Sequence, residues 1–186
     1  MKKVFFGLMA LTCMTLLAAC EQIMQLNISE QRINQSLQKH NHYHKQISVA
    51  GLANADVTID DLTAAIGRED PDEITLSGNA KVRMGSIFGP KQAQILLKMK
   101  TKPVFLQQES AIYLKNLEIV DVQIQPEKMA SLLSTLIPLL NQSLQNYFNH
   151  KPTYVLSSDR SKAESLAKRF AKSLEVKPGE LVIYFK

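Results

Sequence analysis

Cysteine is nearly absent from this 186-residue chain: it has Cys13 and Cys20 only, and tryptophan is missing altogether. Both thiols lie in the first twenty residues. The body of the protein can therefore form no disulfide and must hold itself together by packing. No cysteine is available there for a metal site either. Glycine numbers only 7, and the chain has neither a phosphate-cradling glycine loop nor a Gly-x-Ser-x-Gly nucleophile elbow. Charge of one sign is not in large excess, with 22 Lys and Arg against 17 Asp and Glu. That balance suits the neighbourhood of anionic headgroups and lacks the basic stripe of a nucleic-acid binder. There is no repeat at a fixed period and no low-complexity tract. No apolar run beyond the N-terminus is long enough to span a bilayer. No catalytic constellation emerges, so the chain is expected to be no enzyme and to need no cofactor.

What is present begins at the N-terminus. Lys2 and Lys3 precede an apolar run from Val4 to Leu16, and Leu17-Ala18-Ala19-Cys20 follows. A basic start, a short apolar stretch and a small-residue cleavage site make a secretory signal. A branched residue, two small ones and then Cys is the pattern of a bacterial lipoprotein signal. The run is too short, and too soon followed by Glu21 and Gln22, to span a membrane well. Cys13 is a poor rival, because Leu11 and Thr12 are not the small pair that a lipoprotein peptidase accepts. Residues 1–19 are expected to be removed, and Cys20 to carry both an S-diacylglycerol and an N-acyl chain. Two or three chains exceed the marginal hold of one, so the anchor is expected to be permanent. Losing Lys2 and Lys3 lowers the net charge of +5 by two. Glu21 is not the Asp that retains lipoproteins in the inner membrane. The expected place is the cell envelope, facing the periplasm, with the outer membrane favoured over the inner. Residues 20–28 read as lipidated N-terminus and tether, and 29–186 as a single domain.

Ser29 suits an N-cap for a helix through about His40, with Ile33 and Leu37 on one face. Extended segments follow at Gln46–Ala50 and Ala53–Ile66, separated by Gly51. Val57 and Ile59 alternate, then Leu62, Ala64 and Ile66 resume one step out of phase, which predicts a bulge at Asp60-Asp61. The acidic Glu69–Glu73 stretch predicts a solvated turn. Ile74 to Met84 alternates cleanly, as a half-buried strand should. A turn at Phe88-Gly89-Pro90 leads to alternating Ala93, Ile95, Leu97 and Met99. Ile112–Ile124 reads as another long strand, with a phase shift near Leu117–Val120. Consecutive long strands with short turns predict an antiparallel meander, and their bulges predict strong curvature.

The period then changes. From Pro126 to Asn149, Met129, Leu132, Leu133, Leu136, Ile137, Leu140, Leu144, Tyr147 and Phe148 recur at helical spacing, and Leu139 widens the apolar face. A helix apolar around its middle is expected to be enclosed. Pro138 should free the Ser134 carbonyl and kink it. A short strand at Thr153–Leu156, a second amphipathic helix at Arg160–Leu174, a Pro178-Gly179 turn and a last strand, Glu180–Phe185, complete the chain. The predicted fold class is α+β, a long, highly curved antiparallel β-sheet wrapped around one long helix, with smaller flanking helices.

These residues resemble the YceB-type family of enterobacterial lipoproteins. The likeness rests on Ile33-Asn34-Gln35-Ser36-Leu37 with Lys39-His40-Asn41, on Ile66-Gly67-Arg68-Glu69 and on Pro103-Val104-Phe105. It continues through Val120-Asp121, Gln125-Pro126-Glu127-Lys128-Met129, Asn146-Tyr147-Phe148-Asn149 and Glu175-Val176-Lys177-Pro178-Gly179-Glu180, in matching order and spacing. The resemblance implies a fold like the tubular lipid-binding (TULIP) domains, in which a curved sheet wraps a long helix, and whose members bind or carry lipids. That step to function is an analogy from fold.

The functional expectation is a lipid or other apolar ligand held between sheet and helix, lined by Leu133, Ile137, Leu140 and Leu144 with Leu76 and Leu97. The alternative is a protein with a packed core and no ligand, docking a cell-envelope partner. His40, His42 and His44 could meet on one face of a strand as metal ligands. They straddle a helix-to-strand junction, however, and lack an acidic partner at ligand spacing, so no metal is expected. Arg160, Lys162, Lys168, Arg169 and Lys172 form a basic helix face, either solvated or laid on anionic lipid.

Overall fold

The computed structural model describes residues 25–48, 54–85 and 89–185. The expected signal, Cys20, the turn at Gly51 and Phe88 lie outside these residues. Two antiparallel sheets share one core. The smaller sheet has the order β1-β10-β9, formed by β1 (Gln25–Ser29), β9 (Ser173–Lys177) and β10 (Glu180–Tyr184). The larger has the order β2-β3-β5-β6-β7-β8. Its strands are β2 (Tyr43–Ile47), β3 (Ala55–Ile59), β5 (Ile74–Met84), β6 (Lys91–Leu106), β7 (Ala111–Gln125) and β8 (Tyr154–Val155). A further strand, β4 (Thr63–Ile66), also pairs with β5.

Local chemistry accounts for most elements. Helix α1 (Glu30–His40) starts where the Ser29 hydroxyl accepts the Arg32 N–H, and it buries Ile33 and Leu37. The predicted bulge lies between β3 and β4. Ile59 pairs with Ala80 and Thr63 with Ser77, so three residues on one strand face two on the other. The extra residue lets Leu62 tuck over Gly78, where a Cβ would meet Leu62 Cδ2 at 2.9 Å. The phase shift in β7 appears as two register shifts against β6, one passing Val120 and one passing Asn116, which sits at φ 53°.

The Pro126–Asn149 segment departs from expectation. It is a 3-10 turn (Glu127–Met129), a short α2 (Ala130–Leu133), a break at Ser134-Thr135, and then α3 (Leu136–His150). Pro138 has no N–H to offer the Ser134 carbonyl, so the helix restarts with the proline in its first turn, where no donor is needed. The Ser134 and Thr135 hydroxyls bond back to the Ser131 and Leu132 carbonyls. Nor is the segment enclosed. Leu136, Leu140, Leu144 and Phe148 are buried on one side, while Pro138, Leu139, Gln142 and Asn146 are exposed on the other. The sheet supplies only one wall for this helix, and solvent is the other.

Helix α3 nonetheless bonds to both flanks of the large sheet. Tyr43 Oη donates to Ser143 Oγ at 2.8 Å on the β2 side. On the β7 side Asn141 Oδ1 accepts the Ile119 N–H at 2.8 Å, and Gln145 Nε2 donates to the Leu117 carbonyl at 2.7 Å. These two backbone groups belong to the bulged stretch of β7. The helix thus serves a ladder that the bulge has interrupted. Four strand steps separate β2 from β7, about 19 Å in a flat sheet, whereas a helix is about 10 Å across. The sheet must therefore curl for one helix to reach both.

The expected helix at Arg160–Leu174 is shorter, α4 (Lys162–Phe170). Its supposed last turn is strand β9 instead, paired with β10 across Pro178-Gly179, with Gly179 at φ 82°. The Lys172 N–H bonds the Tyr184 carbonyl at 2.9 Å, and this pulls the chain out of the helix.

Candidate functional site

The six apolar positions expected to line a ligand do come together. Leu76, Leu133, Leu140 and Leu144 are inaccessible to solvent, Leu97 nearly so, and Ile137 is half-buried against them. All six belong to or pack against one apolar cluster, because β5 and β6 send alternate side chains inward while α3 presents a stripe at every fourth residue. Leu76 and Leu97 come from neighbouring inward rows, since Leu76 pairs with Met99 and Gly78 with Leu97.

The helical segment is tied down unevenly. Among the described residues, all of its side-chain bonds to the sheet side involve residues 141–149: Asn141, Ser143, Gln145 and Tyr147 with Ile119, Tyr43, Leu117 and the His42 carbonyl, and the Asn149 carbonyl with Lys115. From Glu127 to Thr135 the polar bonds among the described residues run within the segment or to Pro126. There the hold on the core is apolar, through buried Met129 and Leu133.

Two cavities lie elsewhere, and neither is lined by any of the six. The larger, about 910 Å³, sits on the polar outer face of the large sheet. His44, Asp56, Thr58, Lys81, Arg83, Gln92, Gln94 and Gln125 project into it from five strands, brought level by pairings such as Asp56 with Arg83 and Lys81 with Gln94. The smaller, about 540 Å³, lies between β2 and α3 and includes Gln46, Leu139 and Gln142. Alternation marked Lys81, Arg83 and Gln94 as outward-facing, but no pattern in the chain announced that the outer face is concave.

The histidines are divided as their junction implies. His40 ends α1, His42 lies between elements, and His44 Nδ1 meets Thr58 Oγ1 at 2.9 Å in β2. Among the described residues no group of three or more His, Cys, Asp or Glu could hold a metal ion. The acidic turn does more than meet solvent: Glu69, Asp70 and Glu73 pair with Lys98, Lys100 and Lys102, three successive outward positions of β6.

One buried charged centre was not foreseen. Glu164 of α4 is inaccessible to solvent. Its carboxylate accepts the Ser157 N–H at 2.8 Å, Arg160 Nε at 3.0 Å, Tyr154 Oη at 3.1 Å and the Arg32 guanidinium. Burial pushes the carboxyl up, but the Ser157 amide and the Arg160 and Arg32 guanidiniums outweigh it and hold the group below its ordinary value. The signal was present as Ser161-x-x-Glu164, a capping-box pattern. Ser161 Oγ does accept the Glu164 N–H, at 3.1 Å. The centre joins α1, β8 and α4, so its evident role is to position elements.

Comparison with known proteins gives the family of the chain. The chain is 51% identical over 185 residues to the uncharacterized lipoprotein YceB of Salmonella typhimurium, covering 100% of this chain and 99% of that one. It is 50% identical over 176 residues to the protein of the same description from Escherichia coli K12, covering 95% of each. Among solved structures, a lipopolysaccharide binding protein aligns at 12% identity with a TM-score of 0.29, over 88% of this chain and 50% of that one. A family profile described as a protein of unknown function, DUF1439, matches residues 28–180. The chain belongs to that family and, within it, to the YceB-type lipoproteins.

Proposed function

We propose that this is a membrane-anchored lipoprotein of the cell envelope, held by acyl chains on Cys20 after removal of residues 1–19, and facing the periplasm. The support is the Leu17-Ala18-Ala19-Cys20 pattern together with the description of the relatives as lipoproteins. Glu21 in place of Asp favours the outer membrane.

Within that setting the domain binds an apolar chain between the large sheet and the α2–α3 segment, as a tubular lipid-binding fold would. The observation that carries this reading is the uneven tethering. Residues 141–149 are bolted to the sheet by polar bonds, whereas Glu127–Thr135 rests on it through apolar side chains and ends at a break. An incoming acyl chain can take the place of Met129 and Leu133 as that segment lifts. Exposing the two costs roughly 1.5–3 kcal/mol each, and each methylene buried in their place contributes about 0.8 kcal/mol. The exchange leaves the α3 bolts unbroken.

The test is native mass spectrometry with solvent extraction of the full lipoprotein in mild detergent. Extraction removes non-covalent lipid and leaves acyl chains on Cys20. The expected result is a stoichiometric extractable lipid in the natural protein and none in Ile137→Glu, a half-buried position beside the break that can take a charge and still fold. Unchanged lipid in a folded Ile137→Glu variant, or no extractable lipid at all, overturns the proposal.

The outer-face cavity favours a second reading. Its mixed lining of amides, Asp56, Lys81 and Arg83 suits a polar envelope partner and requires no opening of the core. Crosslinking from Gln94 in whole cells tests it, and capture of no partner counts against it.

A further inference from the structure

The small sheet brings the start of the described chain against the end of α4. Gln25 pairs with Tyr184, and Tyr184 pairs with Ser173, in one row across β1, β10 and β9. The Lys172 N–H bonds that same Tyr184 at its carbonyl. Two strand steps, about 10 Å, thus separate Gln25 from the chain leaving α4. Cys20 is five residues before Gln25, which limits its reach to about 17 Å even if fully extended. An anchor at Cys20 therefore keeps the C-terminal end of α4 within about 27 Å of the bilayer surface.

That end has the chemistry such a position calls for. Phe170, the last residue of α4, is 54% exposed and is the most exposed large apolar side chain of those described. Lys168 and Arg169 precede it in the last turn and Lys172 follows. None of these three cations has an ion-pair partner among the described residues. The nearby acids are occupied. Glu175 accepts from Tyr184 and lies near Lys177, and Glu109, in the hairpin whose Gln107 touches the Arg169 carbonyl, accepts from Tyr113. An apolar ring among unpaired cations matches an interface of acyl chains beneath anionic headgroups.

We infer that the C-terminal end of α4, with Phe170, Lys168, Arg169 and Lys172, is a membrane-contact face seated on anionic phospholipid. The inference rests on the proposed anchor at Cys20. With both in place the molecule has a fixed orientation. The β6–β7 hairpin tip at Gln107 lies towards the bilayer, and the polar cavity around Gln92 and Gln94 lies towards the periplasmic space.

The natural chain has no tryptophan, so Phe170→Trp places a single reporter on the proposed face, and Leu96→Trp provides its control. Leu96 is 42% exposed and lies about 33 Å up β6 from Leu106. The full, processed lipoprotein is reconstituted in phosphatidylethanolamine and phosphatidylglycerol vesicles with brominated acyl chains. The expected result is flotation of both variants, with blue-shifted and strongly quenched emission from Trp at 170 and water-like, unquenched emission at 96. Adding Arg169→Glu and Lys172→Glu should remove most of the quenching at 170, as should phosphatidylcholine in place of phosphatidylglycerol. Flotation with a water-exposed Trp at 170, equal quenching at both positions, or quenching indifferent to both charge changes overturns the contact face. Failure to float overturns the anchor, and the contact face with it.

Discussion

Among single residues Glu164 has most to lose, because one carboxylate joins three elements. Replacing it with Gln leaves the partly exposed Arg32 and Arg160 without their counter-charge, and losing hydrogen bonds to a charged group costs about 1.5–3 kcal/mol. Denaturant melts of Glu164→Gln should show a loss of that size. The pH dependence follows from the same bonds. The folded carboxyl is held below its ordinary value of 4.5, so its contribution is complete above the unfolded value. It disappears as pH falls through the lower, folded value. Melts taken downward from pH 5 should therefore lose stability in the natural protein and lose less in Glu164→Gln. Equal acid sensitivity of the two would remove Glu164 from the account. A capping-box pattern was legible at Ser161 and Glu164, but Arg32 lies 132 residues away from Glu164, and only the folded chain brings it there.

Among the elements, the join between β7 and α3 governs the curvature. The bulges were visible as phase shifts in the alternation of Ile112–Ile124, since an added residue inverts which side chains face the core. Which partner would satisfy the freed backbone groups was not visible. Asn141 and Gln145 read only as polar positions on a helix, yet they meet the Ile119 N–H and the Leu117 carbonyl. Asn141→Ala should leave the partly buried Ile119 N–H unpaired and cost about 1–3 kcal/mol, measured by denaturant unfolding. A change within error would mean that water replaces the amide. The misplaced end of α4 has a similar cause. Leu174 fits a helical stripe as well as a strand, and the pairing with β10 decided between them.

At the scale of the whole molecule, the two sheets share a single interior. Leu26, Ile28, Leu181 and Ile183 of the small sheet belong to the same apolar cluster as Ile95, Met99 and Leu140. Glu30 strengthens the join: its carboxylate accepts the Ile66 N–H and Arg68 Nε, each at 2.8 Å, while its own N–H bonds Gly179. Arg68 holds the Glu30 carboxyl below its ordinary value. With no boundary in the core, unfolding should be one cooperative transition, with coincident curves from circular dichroism and tyrosine fluorescence. Two separated transitions would show that the sheets are independent units.

The amino-acid order alone determined the Leu17-Ala18-Ala19-Cys20 pattern, the alternating strands with their phase shifts, the caps, the absence of any staple, and the resemblance to a lipoprotein family. These are local properties, written in neighbouring residues and in periods of two and 3.6. Tertiary structure decided the rest: that the long apolar helix breaks before Pro138 and covers the sheet from one side, that polar bonds bolt its second half and apolar side chains hold its first, that a polar outer face becomes concave, and that the chain leaving α4 lies two strands from the start of β1. Each of these depends on strand pairing or curvature between residues far apart in the chain, and such distances leave no period in a sequence.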